Sequence, residues 1–343
     1  MTNESDRNPL QVGILGVGSV TQVVHLPMFS ERPDVEVIAV SDPDTLKAES
    51  LAARFEVPHV LSDEEILKDD EVQAAVICAP TNLHESLAIE ALERGKHVLV
   101  EKPLAMSGDG VQRVLDAAAA AGRHIAVGMR HRFRPDAGAL ASFVAGGELG
   151  DIFAVRANSL TYKMSAVRST WREKPEASGG GALMDLGVPL LDLAFWLVDY
   201  PRIARVSAVF RSEEGEVEEA ATVLAVSESG IAFTFEVSWN LFAEADLHYA
   251  RVMGSEGSGL LRPLNIYKQL GGRPMDVTPR QPKARGGENR YQNAYRRLLD
   301  QFVRAVLGEI DVPAPVEQVH LMEVITAAYQ SAREGREIQL GEG

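Results

Sequence analysis

The sequence has little cysteine, few basic residues and no long apolar stretch. Of its 343 residues only Cys78 is a cysteine, which excludes an internal disulfide framework and indicates a reducing compartment. Lys and Arg number 34 against 49 Asp and Glu, for a formal net charge of −15. This balance argues against a nucleic-acid partner, which would require a basic face. No apolar run reaches the length of a membrane span, and the polar start MTNESDRNPLQ lacks the apolar core of a signal peptide. We therefore expect a cytoplasmic protein without membrane contact.

The chain is too long for one ordinary hydrophobic core, so two domains are expected. Its first part alternates short apolar runs with stretches of helical spacing such as Leu83–Arg94 and Val111–Ala121. Continuous apolar strands that alternate with helices predict a parallel sheet covered on both faces. The predicted strands are Leu10–Leu15, Val35–Val40, Ala74–Cys78, His97–Val100 and His124–Val127.

After about residue 150 the hydrophobic period changes to two. In IAFTFEVSW the residues Ile231, Phe233, Phe235, Val237 and Trp239 share one face, which predicts a sheet with one apolar face. The acidic run Glu213–Glu219 is interpreted as a solvated hairpin turn. The segments near 205–211, 219–226, 231–239 and 245–253 predict an antiparallel meander, 271–287 a long loop, and 291–307 and 315–333 two closing helices.

The stretch VGILGVGSVTQVVHLP runs from a strand directly into a helix. Gly16 and Gly18 suit a tight turn that lets a pyrophosphate approach the backbone at the helix N-terminus. Thr21 occupies the third glycine position, so the motif is incomplete. The next strand ends in Asp42, whose carboxylate can accept from ribose hydroxyls and repel a 2′-phosphate. The pattern predicts a dinucleotide site that favours NAD, while Ser41, whose hydroxyl can help to hold a phosphate, leaves NADP open.

Four motifs in order resemble the glucose–fructose oxidoreductase/inositol dehydrogenase/MocA (Gfo/Idh/MocA) family. They are the glycine turn, APTNLH at 79–84, GKHVLVEKPLA at 95–105 and GGGALMDLG at 179–187. The resemblance implies an α/β fold with an N-terminal Rossmann doubly wound parallel sheet over residues 9–130. It also implies a C-terminal α+β domain over residues 131–343, with a large open, mostly antiparallel sheet that often mediates oligomerisation. A homodimer or homotetramer acting on a small-molecule substrate is expected, with the closing helix able to pack back on the Rossmann domain.

Lys102 of the EKP motif follows a parallel strand, where ligands of such sheets bind. Pro103 biases the backbone of Lys102 toward an extended conformation. Beside a positively charged nicotinamide a partly desolvated lysine loses basicity and can exchange a proton with a substrate hydroxyl. The alternative is an exposed lysine paired with Glu101. No Cys/His cluster has ligand spacing, so no metal is expected.

The resemblance assigns further residues to the site. Trp171 and Arg172 are expected to line the crevice, His84 to lie beside the cofactor, and Arg132 and Phe133 to support the domain junction. The full expected cofactor set is Gly16, Gly18, Ser19, Val20, Asp42, Thr81, Asn82, His84, Glu101 and Lys102.

Asp185 of GGGALMDLG departs from the family pattern in its surroundings. In many family dehydrogenases a histidine follows this aspartate by four residues and works with it and the lysine, whereas this chain has Pro189. Lys102 and Asp185 are therefore the predicted catalytic residues, with Tyr162 or Lys163 filling the gap at Pro189 and Asp192 structural. The predicted function is hydride transfer between a nicotinamide and a hydroxyl or carbonyl of a sugar, polyol or related molecule. A non-enzymatic dinucleotide sensor and an NAD-assisted glycosidase are the alternatives.

Overall fold

A computed structural model of the chain describes residues 8–162, 171–213, 216–280 and 289–341. Its strands are β1 Leu10–Leu15, β2 Val35–Ser41, β3 His59–Val60, β4 Ala74–Ile77, β5 His97–Val100, β6 Ile125–Val127, β7 Ile152–Tyr162, β8 Ile203–Arg211, β9 Ala220–Ser227, β10 Ala232–Leu241, β11 Leu247–Gly254, β12 Gly257–Leu261, β13 Asn265–Leu270, β14 Arg273–Asp276 and β15 Ile338–Gln339.

The helices are α1 Leu26–Ser30, α2 Thr45–Phe55, α3 Asp63–Lys68, α4 Thr81–Glu93, α5 Gly108–Ala121, α6 Pro135–Ala145, α7 Pro175–Ser178, α8 Val188–Trp196, α9 Arg290–Val306 and α10 Glu317–Glu334. Single π-helical turns, Thr21–His25 and Leu183–Gly187, precede α1 and α8. Short 3-10 turns lie at Arg130–Phe133 and Trp171–Glu173.

The chain divides into two compact units. The first contains the described residues up to Gly128 together with Tyr291–Val316, and the second contains Met129–Arg290 and the residues from Glu317 onward. The sequence predicts one boundary near residue 130, whereas the chain passes between the two units three times. It does so because α9 returns to the first unit while α10 belongs to the second.

The first unit is built on a six-stranded parallel sheet in the order β3-β2-β1-β4-β5-β6. This is the Rossmann order, in which the chain direction across the sheet reverses between β1 and β4. The strands β4 and β1 are almost wholly buried, as continuous apolar runs covered on both faces require. Gly95 follows the end of α4, and its φ of 74° suits a glycine that ends a helix.

The second unit is built on a nine-stranded, mostly antiparallel sheet in the order β14-β13-β12-β11-β7-β10-β9-β8-β15. Phe233, Phe235 and Val237 are buried, as the period of two predicts, and the Phe195 ring of α8 packs edge-on against both phenylalanines.

Three sequence-based expectations for this unit are wrong. The predicted meander is interrupted, because β7 pairs parallel with β10 and antiparallel with β11 and so separates them. The segment predicted as a loop over 271–287 contains β14, which forms a hairpin with β13. The acidic turn between β8 and β9 is not wholly solvated, since Glu218 is 4% exposed.

Candidate active site

The glycine turn after β1 has the geometry that the sequence predicts. Gly16 has a φ of 93°, and a Cβ there would lie 2.7 Å from the Cys78 carbonyl oxygen. A Cβ at Gly18 would instead enter open space, so the missing side chain leaves room against the backbone where the helical turn begins. Thr21, at the incomplete third position, donates a hydrogen bond of 2.7 Å to the Gly16 carbonyl and closes the turn. These residues fit a pyrophosphate at a helix start.

Asp42 lies beside this turn. Its Oδ2 accepts the Val17 amide at 2.9 Å, and its Oδ1 lies 2.8 Å from the Lys47 ammonium and accepts the Asp44 amide. Burial raises the pKa of Asp42, but hydrogen bonds from Lys47, Asp44 and Val17 outweigh it and lower that pKa. A carboxylate is therefore fixed next to the glycine turn, and Lys47 is a neighbour that the sequence did not reveal.

The remaining expected cofactor residues follow β1, β4 and β5 at the same sheet edge. Ser19 and Val20 precede the first π-helical turn, while Thr81 and Asn82 open α4. The carboxyl ends of parallel strands on either side of a topological switch form the usual ligand crevice.

His84 links two loops at this edge through both ring nitrogens. Nδ1 lies 2.7 Å from the Pro103 carbonyl oxygen and Nε2 lies 2.9 Å from that of Ala79. Burial lowers the pKa of His84, although both carbonyl contacts oppose that shift. The ring therefore contacts the loop after β5 and the loop after β4, and in its neutral form it donates to only one of the two carbonyl oxygens.

Glu101 and Lys102 follow β5, and their side chains have different surroundings. The Glu101 carboxylate is buried and contacts His25 and Tyr295 inside the first unit. Lys102 is half-buried, and its amide donates to Glu101 Oε2 at 3.4 Å. The Lys102–Pro103 peptide bond is cis.

Asp185 lies in the π-helical turn before α8. Its Oδ2 accepts the Trp239 indole N–H at 3.3 Å, and its Oδ1 lies 3.8 Å from Nε of Arg172. The Arg172 guanidinium also stacks on the Trp171 ring, 4.5 Å from its centroid. The structure thus brings together Trp171, Arg172 and Asp185, which the sequence analysis placed in the site. It adds Trp239, the last apolar position of the IAFTFEVSW pattern.

The other expected substrate residues lie at element ends. Pro189 occupies the first turn of α8, where its missing N–H is tolerated. Tyr162 ends β7 and is 40% exposed, and its amide donates to Asp246 at 2.9 Å. Lys163 lies outside the described residues.

Glu218 accepts hydrogen bonds from the glycine-rich segment that precedes Asp185 in the sequence. Its carboxylate accepts the amides of Gly181 and Leu183, each at 2.9 Å, and the Tyr329 hydroxyl at 2.7 Å. A Cβ at Gly180 would lie 1.8 Å from the Tyr329 hydroxyl oxygen, and one at Gly181 would lie 2.0 Å from the Glu218 carbonyl oxygen. The glycines of this motif therefore permit close packing within the second unit.

Asp192 has the structural role expected of it. It is fully buried and is held by the Arg132 guanidinium, by Gln318 at 2.9 Å and by the Tyr200 hydroxyl at 3.3 Å. Arg132 also contacts Glu317 at 2.7 Å. Burial lowers the pKa of Arg132, but Asp192 and the other anions raise it overall.

Comparison with protein families matches both parts of the chain. The model of the oxidoreductase family with an NAD-binding Rossmann fold matches residues 10–129, and the GFO/IDH/MocA C-terminal domain matches residues 138–259. The chain belongs to the Gfo/Idh/MocA oxidoreductase family.

Relatives within the Gfo/Idh/MocA family extend over nearly the whole chain. D-glucoside 3-dehydrogenase from Escherichia coli K12 is 28% identical, over 99% of this chain and 100% of its own. The crystal structure of GenD2 from gentamicin A biosynthesis, in complex with NAD, has a TM-score of 0.84 at 27% identity and covers 98% of this chain and 97% of its own. Levoglucosan dehydrogenase with NADH and levoglucosan has a TM-score of 0.85 at 22% identity, over 98% of this chain and 100% of its own, and shows the shared fold.

Two features are missing from residues 8–162, 171–213, 216–280 and 289–341. None of the helices in these ranges has both the length and the apolar character needed to cross a membrane. Within the same ranges, no group of three or more His, Cys, Asp or Glu side chains is arranged to hold a metal ion.

Proposed function

We propose that this oxidoreductase transfers a hydride between NAD(H) and a secondary hydroxyl or carbonyl of a sugar or glycoside, with Lys102 as the main proton carrier. The observation that carries the proposal is the position of Lys102 at the carboxyl edge of the parallel sheet, next to a glycine turn that fits a dinucleotide. When bound, the nicotinamide supplies or accepts the hydride. The protein must then bind, orient and exchange a proton with the substrate hydroxyl.

The residues of the first unit support NAD binding. The amides at the start of the first helical turn suit a pyrophosphate, and Gly18 leaves the backbone accessible to it. The fixed Asp42 carboxylate suits the two ribose hydroxyls and disfavours an added phosphate.

The position of Lys102 supports it as the proton carrier. Its loop follows β5 at the carboxyl edge of the parallel sheet, where the neighbouring Glu101 carboxylate is held by His25 and Tyr295. A positioned lysine at this edge can accept the hydroxyl proton as a substrate is oxidised and return it in reduction.

The substrate class rests on the relatives and on the second unit. The name of the E. coli relative, D-glucoside 3-dehydrogenase, supports a glucoside oxidised at carbon 3. Asp185 is proposed to accept hydrogen bonds from sugar hydroxyls, with Trp171 as an aromatic surface for the ring.

A substrate screen tests the proposal. The purified protein is mixed with D-glucosides, aldoses, inositols and other polyols in the presence of NAD⁺ or NADP⁺, and absorbance at 340 nm is followed. We expect turnover with a glucoside or polyol. Binding of NAD⁺ with no turnover on any of these would instead support a sensor, and release of a glycone without net NADH would support an NAD-assisted glycosidase.

Replacement of the lysine tests its assigned role on the active substrate. Lys102→Met should reduce turnover by about 10²–10⁴-fold, the contribution of a positioned acid or base, and change NAD⁺ affinity no more than about threefold. Lys68→Met, at an exposed lysine of α3 paired with Glu64, is the matched control and should keep full activity. Full activity in Lys102→Met would refute the assignment.

A further inference from the structure

Several basic side chains of the second unit lie close together. They come from the 3-10 turn Arg130–Phe133, the residue before α6, strand β11, the turn after β12 and the first residue of α9. This basic cluster consists of Arg130, His131, Arg134, His248, Arg262 and Arg290. The chain as a whole has a formal net charge of −15. A local group of cations on an acidic protein favours an anionic ligand.

Strand pairing places Arg262 near His248. Leu261 of β12 lies opposite Ala250 of β11, so Arg262 leaves β12 level with the part of β11 that holds His248. His248 Nδ1 lies 3.0 Å from the Ser159 hydroxyl of β7. Arg262 has a φ of 66°, a conformation that glycine adopts more readily than arginine does. An arginine at such a position indicates a role for its side chain.

The Arg134 guanidinium is held in one orientation. Its Nε donates to Asp136 Oδ1 at 3.0 Å, its Nη2 donates to Oδ2, and both residues are buried. Asp136 Oδ1 also accepts the Ala137 amide at 3.0 Å. Asp136 therefore orients one guanidinium of the basic cluster and compensates its charge.

The other positive charges act on His131. Burial, and then the charges of Arg130, Arg134 and Arg262, lower the pKa of His131 well below its usual value. The imidazole is therefore neutral, and its buried Nδ1 has no hydrogen-bond partner among the described residues. A buried polar atom of this kind calls for a partner, and an anion would also reduce the repulsion between the cations.

We propose that Arg134, Arg262 and His131 form a binding site for the oxyanion group of a small molecule, a phosphate or a carboxylate. Guanidinium groups bind both kinds of anion through paired N–H···O contacts. The neutral imidazole can donate a hydrogen bond to one oxygen of the same group. Arg130 and Arg290 add electrostatic attraction.

The strand register places this oxyanion site on the same face of the sheet as Trp239. Val237 of β10 lies opposite Ser159 of β7, which lies opposite His248 of β11, so these side chains share a face. Trp239 follows Val237 by two residues and donates to Asp185. One strand separates β10 from β11, a spacing of about 10 Å. For a sugar bound at Asp185, as the proposed function has it, an anionic substituent can extend toward the arginines.

Calorimetric titration tests the oxyanion site. Inorganic phosphate, glucose 6-phosphate, glucuronate and glucose are titrated separately at constant ionic strength, with excess NADH present to occupy the dinucleotide site. We expect glucose 6-phosphate or glucuronate to bind about tenfold or more tightly than glucose, because only they carry the anionic group. Inorganic phosphate that binds as tightly as glucose 6-phosphate would identify free phosphate as the ligand of the same site.

Variants locate the binding. Arg262→Gln should weaken binding of the preferred anion by about tenfold, the value of one charge-assisted hydrogen bond. Arg262→Lys keeps the charge without the planar fork and should weaken it less. Arg333→Gln, at an exposed arginine of α10 in the same unit, is the matched control and should leave the affinity unchanged.

Three results overturn the proposal: no binding of any of the three anions, unchanged affinity in folded Arg262→Gln, or an equal loss in Arg333→Gln. If Arg262→Gln does not fold, the exposed Arg290 provides the second variant, and Arg290→Gln should weaken binding by about threefold. Unchanged affinity there contradicts the proposal as well.

The titrations need no turnover, so the two proposals fail separately. A protein that binds the anions and oxidises no sugar would refute the proposed function and leave the oxyanion site. One that oxidises neutral glucosides and binds no anion would refute the oxyanion site alone.

Discussion

Asp42 and Lys47 form an ion pair beside the glycine turn, with 2.8 Å between Oδ1 and Nζ, where we propose that the adenosine ribose binds. Asp42→Ala removes both the ribose acceptor and the repulsion toward a 2′-phosphate, so the preference for NAD⁺ over NADP⁺ should narrow by about tenfold, the value of one modest charged interaction. Lys47→Ala should widen the preference for NAD⁺, because the cation beside Asp42, which would attract a 2′-phosphate, is lost. Fluorescence titration with both cofactors measures the two ratios.

Lys68→Ala is the matched control for this pair and should leave the cofactor ratio unchanged. Tighter binding of NADP⁺ than of NAD⁺ by the unsubstituted protein would contradict the role given to Asp42.

Alanine substitution at two glycines of the second unit compares a crowded position for a Cβ atom with an open one. Gly181→Ala places a Cβ 2.0 Å from the Glu218 backbone oxygen, and the backbone must shift, so the free energy of unfolding should fall by about 1–3 kcal/mol. Gly138→Ala, in α6, meets no atom within 4 Å and should raise it by about 0.5–1 kcal/mol. Thermal unfolding of both variants provides the measurement, and equal melting temperatures would show that the contact at Gly181 relaxes freely.

At the scale of elements, the His25–Glu101 ion pair joins a helical turn to the end of β5. The pKa of His25 is raised from 6.5 to about 10 in the folded protein. Its bound proton therefore stabilises the fold fully below pH 6.5, and this stabilisation is lost as the pH rises through about 10. The melting temperature should fall over this window, and His25→Gln should flatten that fall.

His59→Gln, at an exposed histidine of β3, is the control and should leave the pH dependence of the melting temperature unchanged. If the unsubstituted protein and His25→Gln lose stability in parallel between these pH values, the buried pair is not responsible.

The elements themselves were predictable where the pattern is local. β1 and β5 match the predicted apolar runs residue for residue, since a strand buried on both faces is a continuous apolar sequence. The insertion of β7 between β10 and β11 was not predictable, because strand pairing across some 80 residues has no local period. Glu218 was misjudged for a related reason. An acidic run indicates solvent, and only the distant amides of Gly181 and Leu183 make one of its members a buried acceptor.

The candidate site shows the same division. The glycine turn, Asp42 and the EKP motif are adjacent in sequence to the strands that carry them, so their placement followed from strand order. No local sequence pattern indicated four other residues near these motifs, because each reaches its partner through a tertiary contact. They are Lys47, His25, Tyr295 and Trp239. The catalytic roles of Lys102 and Asp185 stay predictions.

For the molecule as a whole, one face of the large sheet suggests how copies associate. Val209, Leu224 and Tyr249 lie on the face opposite the buried phenylalanines and are 73%, 45% and 38% exposed. We predict a homo-oligomer formed through this face, since exposed apolar residues on an open sheet commonly pair with a second copy. Light scattering at micromolar concentration should give a dimer or larger mass.

Leu224→Glu should lower the measured mass by placing a charge in the interface. Leu46→Glu, at a leucine of α2 in the first unit that is 77% exposed, should not. A monomer in the unsubstituted protein would contradict the prediction, and an effect of both variants would point to a surface other than the sheet.

The return of α9 to the first unit has a consequence for synthesis on the ribosome. The first 128 residues contain all six parallel strands, yet Tyr295 is still missing from Glu101, and the ion pairs of Arg296 with Glu31 and of Asp300 with Arg32 cannot form. The nascent Rossmann sheet therefore lacks α9, and part of its surface stays uncovered while more than 160 further residues are translated. A chaperone that shields this surface during elongation would reduce aggregation of the nascent chain, and a gene rearranged to encode α9 beside β6 would shorten the delay.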